Sequence, residues 1–452
     1  MSIPQPVKRS EIKKSTVLIA AQTMLGLGHG SGVVTTLRDF LGYDKPYKAK
    51  ITRLTSRGER TSTIRLSPDH PIVVTCAHCV SEAVAITVRF HDGEQSPAHT
   101  ICIDNGADVA VLYIEEDKTG SYTLATMGDS DSCEDGDDIF AVGNPLGPGQ
   151  EFSISRGIVS SERRFIPLSY LPAFQVDAEI NPGNSGGILT NRDGHWIGVN
   201  FAGVMIGANT GINYSLHINE VHRVVKHMLD RNHVTRHALA MRITALTPFT
   251  MTVLDRPTAH GALVEYVKPG SDASTYFKQM DVVLQVNGDR INVPAEFEYA
   301  MQKAAGKTVA VTVVRGKKEV TFNVQVPTRT IPFAHIGGSD HYGLGLTLQP
   351  SVLEDGLLIT YVHKYSVSAQ VGLKRGMIIT GIQDPNDDMS DGLKILRGLT
   401  PEEFFANVQN FKGEPFMVEI MVPGMGVHIV GLQAPVQAAG GMPMNTRYVK
   451  II

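Results

Sequence analysis

Tryptophan occurs once and cysteine four times in 452 residues, and no apolar run approaches the ~20 residues that a membrane-spanning helix requires. Charge of one sign is scarce too. The 41 Lys and Arg against 45 Asp and Glu leave a formal net charge of −4, which argues against nucleic acid as the main partner. The densest basic stretch, Arg315-Gly-Lys-Lys-Glu319, reads as a hairpin turn. Cys76, Cys79, Cys102 and Cys133 read as small buried thiols suited to a reducing compartment. The Cys76-x-x-Cys79 spacing suggests metal or redox chemistry but is followed by no second ligand pair. An apolar secretory core is missing from residues 1–14. The chain is therefore expected to be intracellular, in the cytoplasm, or else the mature form of a targeted precursor. Its length allows about three domains.

Against this background, Asn181-Pro-Gly-Asn-Ser-Gly-Gly187 carries the most information. A glycine-rich turn can present one hydroxyl while backbone N–H groups point the same way, as a nucleophile beside an oxyanion hole requires. The expected donors are the amides of Gly183 and Ser185, with Asn184 as a third. A serine needs a base, and the base needs an orienting group. His78 follows the apolar run Ile72-Val-Val-Thr-Cys-Ala77, as if delivered at the end of a buried strand. Asp108 opens a second such run, Val109-Ala-Val-Leu-Tyr113. His, Asp, Ser is the chain order of chymotrypsin-like proteases.

Thr75-Cys-Ala-His78, Asp108-Val-Ala-Val-Leu112, Gly143-Asn-Pro-Leu-Gly147, Gly157-Ile-Val-Ser160 and Asp177 through Gly187 resemble, in order and spacing, the HtrA/Deg family of serine proteases. Gly30-Ser-Gly-Val-Val34 resembles that family's first-barrel strand. The likeness implies a mainly β protein: a chymotrypsin-like double β-barrel followed by two PDZ-like α+β domains. It also implies a serine endopeptidase acting on unfolded or damaged proteins, with His78, Asp108 and Ser185 catalytic and no metal or other cofactor. A homo-oligomer, trimer or multiple of one, is implied as well. Secreted trypsin-like enzymes bridge a Cys after the catalytic His to the preceding strand, but Gly28-His-Gly-Ser-Gly32 has no cysteine to offer. Asn184 stands where those enzymes carry an aspartate, so activation by propeptide cleavage is not expected.

The expected divisions are an N-terminal segment 1–16, the protease 17–230, PDZ-like units at 231–328 and 329–434, and a tail 435–452. Residues 35–71 exceed what a barrel hairpin needs and read as an inserted loop or ribbon. Asn219 through Leu229 shows helical spacing. The PDZ-like units repeat: Gly261-Ala-Leu-Val-Glu-Tyr-Val267 matches Gly356-Leu-Leu-Ile-Thr-Tyr-Val362, and Pro294-Ala-Glu-Phe297 matches Pro401-Glu-Glu-Phe404. By resemblance they bind peptide C-termini, or else space and assemble subunits. Their carboxylate loops would be Ala238-Leu239-Ala240-Met241 and Gly343-Leu344-Gly345-Leu346.

In the likeness to chymotrypsin-like enzymes, Phe201, Ala202 and Gly203 would pair with the substrate backbone. Glu179, six residues before Ser185, would lie at the base of the primary pocket. A carboxylate there would favour basic side chains, but an apolar preference is favoured because loops of the HtrA/Deg family often take another path. The rival reading is a chaperone or scaffold with a closed or regulated protease site. A protein binding metal or redox partners through Cys76, Cys79 and His78 lacks further ligands in the sequence.

Overall fold

The computed structural model describes residues 7–23, 26–55, 58–81, 83–145, 149, 151–166, 169–203, 211–256, 259–331, 344, 346–351, 356–362, 366–374, 376–386, 393–412, 414–422 and 426–433. The tail 435–452 and the loop residues Gly343 and Gly345 lie outside the described residues. The chain forms two compact units: the first runs up to Val234 and also takes Ile331, and the second holds Thr235–Thr330 and the described residues from Leu344 on.

The first unit contains two closed six-stranded barrels. One takes the strands Thr16–Thr23, Gly26–Thr36, Pro71–Thr75, Val109–Ile114, Gln95–Asp104 and Ala85–Arg89 in that spatial order. The other takes Ser153–Phe165, Pro172–Val176, Asn213–His217, Trp196–Gly203, Ile188–Asn191 and Asp138–Gly143. Alternating residues of the inner strands serve two cores. Val73, Ala110, Leu112 and Ile114 fill the first barrel, while Ile72, Val74, Val109 and Val111 join a larger apolar cluster with Trp196, Val199 and Phe201 of the second. Burial on both faces is why these strands read as unbroken apolar runs rather than as alternating ones.

The helix Ile218–Arg231 buries Ile218, Val221, Val224, Val225, Met228 and Leu229, one stripe at helical spacing, and ends on left-handed Asn232. The long insertion is a ribbon: after the short helix Leu37–Leu41, strands Tyr47–Thr55 and Gly58–Leu66 pair along their whole length. Its inner face buries Ala49, Ile51 and Leu66.

The second unit holds two sheets with the same strand order. Met241–Ala245, Ala262–Val267, Val282–Val286, Thr308–Arg315 and Lys318–Gln325 form one. Leu346–Pro350, Leu357–Val362, Ile378–Gln383, Pro415–Val422 and Gly426–Gln433 form the other. Each is packed by one ten-residue helix, Pro294–Lys303 or Pro401–Asn410. Thr400 and Glu403 cap the second helix reciprocally. The sequence repeat is thus a repeat of topology.

Candidate active site

The pairing of Pro71–Thr75 with Val109–Ile114, Thr75 opposite Ala110, places the residues just outside both strands at one end of the barrel. His78 sits there on a single 3₁₀ turn, Ala77–Cys79. Asp108 precedes its strand in the left-handed region at φ 58°, a conformation aspartate tolerates better than most residues. Its carboxylate grips the histidine twice. Oδ2 is 2.6 Å from His78 Nδ1, and Oδ1 accepts the His78 backbone N–H at 2.8 Å. The bond puts the proton on Nδ1 and leaves Nε2 as the acceptor. Asp108 is buried, whereas about a third of the imidazole, 34%, is exposed. Burial alone would lower the His78 pKa; the Asp108 charge, aided by the Cys79 thiol, overcomes it and raises the pKa well above the ordinary value.

The glycine-rich turn requires its glycines. Gly183 and Gly186 have φ of 102° and 85°. A Cβ on Gly186 would lie 2.1 Å from the Ser31 carbonyl oxygen. Three of the turn's amides are occupied: Asn184 N–H donates to Asn181, Gly186 N–H to Asn200 and Gly187 N–H to Asn184, at 2.9, 2.7 and 2.9 Å. Among the described residues, the amides of Gly183 and Ser185 donate to nothing. These are the amides of the two residues that the sequence reading named first as oxyanion donors. Asn184 is corrected: its N–H is already committed within the turn. The Ser185 hydroxyl donates to the Phe201 carbonyl at 2.7 Å and not to His78.

Three supporting residues had no role assigned from the sequence. Fully buried Ser31 donates its hydroxyl to the Gly183 carbonyl at 2.7 Å and its N–H to that of Ser185 at 2.8 Å. Asn144, in the Gly-Asn-Pro-Leu-Gly motif, donates to the Ser31 hydroxyl through N–H and Nδ2 at 2.9 and 3.0 Å. Asn200 donates to the Val142 and Ile188 carbonyls and accepts the Gly186 amide. For Ser31 and Asn144, their appearance inside motifs was the only sequence signal.

The strand Trp196–Gly203 pairs with Asn213–His217 as far as Gly203, but its pairing with Ile188–Asn191 ends at Val199. Residues 201–203 therefore have one edge without a strand partner among the described residues. Phe201 is buried, with its ring 6.1 Å from that of His78. Glu179 is exposed, its carbonyl accepting the Ser155 hydroxyl at 2.9 Å. All four cysteines are free; Cys76, Cys102 and Cys133 are buried, and Cys79 is half-buried. Burial, then acidic neighbours, pushes the Cys133 thiol up to about 12, and keeps Cys76 and Cys102 protonated as well.

In the second unit, Ala238 N–H donates to Pro327 and Met241 N–H to Leu239, at 2.8 and 2.9 Å. Leu239, Ala240 and Met241 are buried. The strand that follows, Met241–Ala245, lies at the edge of its sheet beside the helix Pro294–Lys303. Leu344 and Leu346 are in the apolar core of the second sheet.

Two barrels with a serine turn and a His–Asp pair at their junction, followed by two sheets of PDZ topology, define a chymotrypsin-like serine endopeptidase with PDZ domains. Residues 61–199 match the trypsin-like peptidase domain, and residues 240–326 the PDZ domain. The periplasmic serine endoprotease DegP of Salmonella typhimurium is 31% identical over 351 residues, covering 75% of this chain and 71% of the relative. The periplasmic pH-dependent serine endoprotease DegQ of Escherichia coli is 31% identical over 333 residues, 72% of each chain. The chain belongs to this DegP/DegQ family of HtrA-type serine endoproteases. In fold it is similar to the HtrA-type protease AlgW with tripeptide: TM-score 0.55, 24% identity, 72% of this chain and 99% of that one. The cytoplasmic expectation is corrected by these comparisons, because the relatives are named periplasmic enzymes. Neither a secretory core looked for in the first residues nor buried free thiols is a sufficient guide to compartment.

Proposed function

We propose that Ser185 is the nucleophile, His78 the general base and Asp108 its orienting partner. The hydroxyl turns from Phe201 to His78 Nε2, loses its proton there and attacks the peptide carbonyl. The amides of Gly183 and Ser185 receive the oxyanion, and the imidazolium, stabilised by Asp108, protonates the leaving amine. The observation that carries this reading is the doubly held His78–Asp108 pair beside a turn whose two uncommitted amides flank the serine. The open edge of 201–203 suits an extended substrate backbone, and so unfolded or damaged protein chains. The PDZ units would take peptide C-termini along the edge strands that follow their carboxylate loops. Family likeness favours a trimer or a multiple of one, which sedimentation would measure.

A second reading, a regulated site, is favoured by the Ser185–Phe201 bond, which holds the hydroxyl away from the base until a ligand reorganises the cleft. Ser185→Ala decides the chemistry. The parent should degrade reduced casein, and the variant should lose about 10⁶ in turnover while keeping its melting temperature. Equal cleavage by the two would remove Ser185 from its role.

A further inference from the structure

The sequence places two thiols around the base, Cys76-Ala-His-Cys79, and the reaction uses neither. The fold brings one of them close to both the histidine and its partner. Cys76 Sγ, a ring nitrogen of His78 and a carboxylate oxygen of Asp108 all lie within 4.8 Å of one another. Cys76 and Asp108 are buried, which strengthens their hold on a cation, while the exposed part of the imidazole gives a path from the cleft for the ion and its one water. We propose that Cys76, His78 and Asp108 form a site for a soft divalent cation, zinc by its chemistry, whose binding shuts the protease off; this rests on His78 being the base.

Sulfur, imidazole and carboxylate are the ligand set that zinc prefers over magnesium or calcium. Zinc bonds of about 2.0–2.3 Å set neighbouring ligand atoms about 3.3–3.7 Å apart, so the sulfur closes from within 4.8 Å, while Nδ1 and Oδ2, 2.6 Å apart across a hydrogen bond, open by less than about 1 Å as the proton between them leaves. Rotations about the Cys76 and His78 side-chain bonds supply this, and a water completes the tetrahedron. The protons balance simply. The Cys76 thiol loses its proton to solvent as the thiolate binds the metal. The proton on Nδ1 of the neutral imidazole moves to Nε2 as Nδ1 takes the metal. Nε2 then carries hydrogen and can no longer accept the Ser185 proton. Inhibition thus follows from occupancy, without any blockage of the substrate cleft.

Two measurements test the site. In the first, casein cleavage is titrated with zinc. The parent should be inhibited and recover with EDTA, while magnesium and calcium leave the rate unchanged. Cys76→Ala, with Cys76→Ser as the closer substitute, should need at least about 10-fold more zinc for half inhibition, each measured against its own zinc-free rate. Loss of an outer-shell partner alone costs about 10–100-fold in metal affinity, and a lost ligand should cost no less. Cys102→Ala, another buried thiol, should respond as the parent does. In the second, cobalt is added to Ser185→Ala, where thiolate-to-cobalt charge-transfer absorption should appear and should vanish when Cys76→Ala is added. Unchanged zinc sensitivity in both Cys76 variants, or no thiolate band, overturns the proposal. Should the parent cleave nothing, the reading of the base fails by itself, and the cobalt band still decides the metal site.

Discussion

Ser31 holds the Gly183 carbonyl: a hydroxyl of the first barrel donates at 2.7 Å to the turn that carries Ser185, across 152 residues of sequence. The Ser31 amide holds the Ser185 carbonyl in the same way, and Asn144 donates twice to the Ser31 oxygen. The two bonds fix the peptide planes 183–184 and 185–186, and so limit how far the turn carrying the Gly183 and Ser185 amides can move. Preorganised donors of this kind need no reorientation as charge develops.

Ser31→Ala should therefore lower kcat more than it changes KM. Losing a buried hydrogen bond and leaving its partners unpaired costs about 1–3 kcal/mol. A 10- to 100-fold fall in kcat corresponds to about 1.4–2.7 kcal/mol of barrier. Steady-state kinetics with a peptide substrate measures the split; a rise in KM at constant kcat would place Ser31 in substrate binding instead.

The raised His78 pKa fixes the direction of the pH response. The base works when neutral, so cleavage should rise with pH through an acid limb lying above the ordinary histidine value of about 6.5. Stability runs the other way. The protonated, Asp108-paired imidazole stabilises the fold fully below about 6.5, and that contribution is lost as pH climbs through the folded-state pKa. Asp108→Asn should move the acid limb down and reduce kcat by roughly 10⁴. A pH–rate profile of kcat/KM reads both; an acid limb that Asp108→Asn leaves in place assigns the titration to another group.

Gly30 stands where a side chain would meet Cys79, with a Cβ only 2.6 Å from Sγ and 3.0 Å from the Cys79 Cβ. Rotating the thiol away does not relieve the second contact. Gly30→Ala should lower stability by about 1–3 kcal/mol, as overpacking does. It should also lower activity, because the turn carrying His78 has to shift. Cys79→Ala in the same chain should restore part of both, a coupling that a double-mutant cycle in urea measures. Additive losses would mean that the two residues do not press on each other.

Glu179 is exposed, and a solvated carboxylate is screened too well to select a cationic side chain strongly. Glu179→Ala should change cleavage after Lys and Arg by less than about 3-fold, which a difference below roughly 0.7 kcal/mol represents. Mass-spectrometric mapping of casein cut sites checks this. A selective loss of basic sites by 10-fold or more would return Glu179 to the base of the pocket.

Much of the fold was legible because burial leaves a periodic trace. The runs at 72–75 and 109–114 are unbroken because both faces of each strand are covered, and residues 218–229 show one apolar stripe because only one face is. The repeat of Ala262–Val267 in Leu357–Val362 carried the second sheet's topology. The ribbon at 47–66 was less clear: Lys48, Lys50, Thr61, Thr63 and Arg65 on it are polar and exposed, so a loop and a two-stranded sheet share a composition. The short helix Arg9–Lys14 was not foreseen, since six residues with one buried apolar side chain show no period.

The sequence by itself determined which groups could react: a hydroxyl on a glycine turn, an imidazole and a carboxylate at the mouths of apolar strands, in one chain order. Those are local properties, set by side-chain chemistry, backbone freedom and strand pattern. Tertiary structure alone decided which amides remain free, which way the Ser185 hydroxyl points, that Ser31 and Asn144 anchor the serine turn, and that Cys76 lies beside His78 and Asp108. A hydrogen bond spanning 113 or 152 residues depends on where two barrels place their ends, and no periodicity within either segment encodes that meeting.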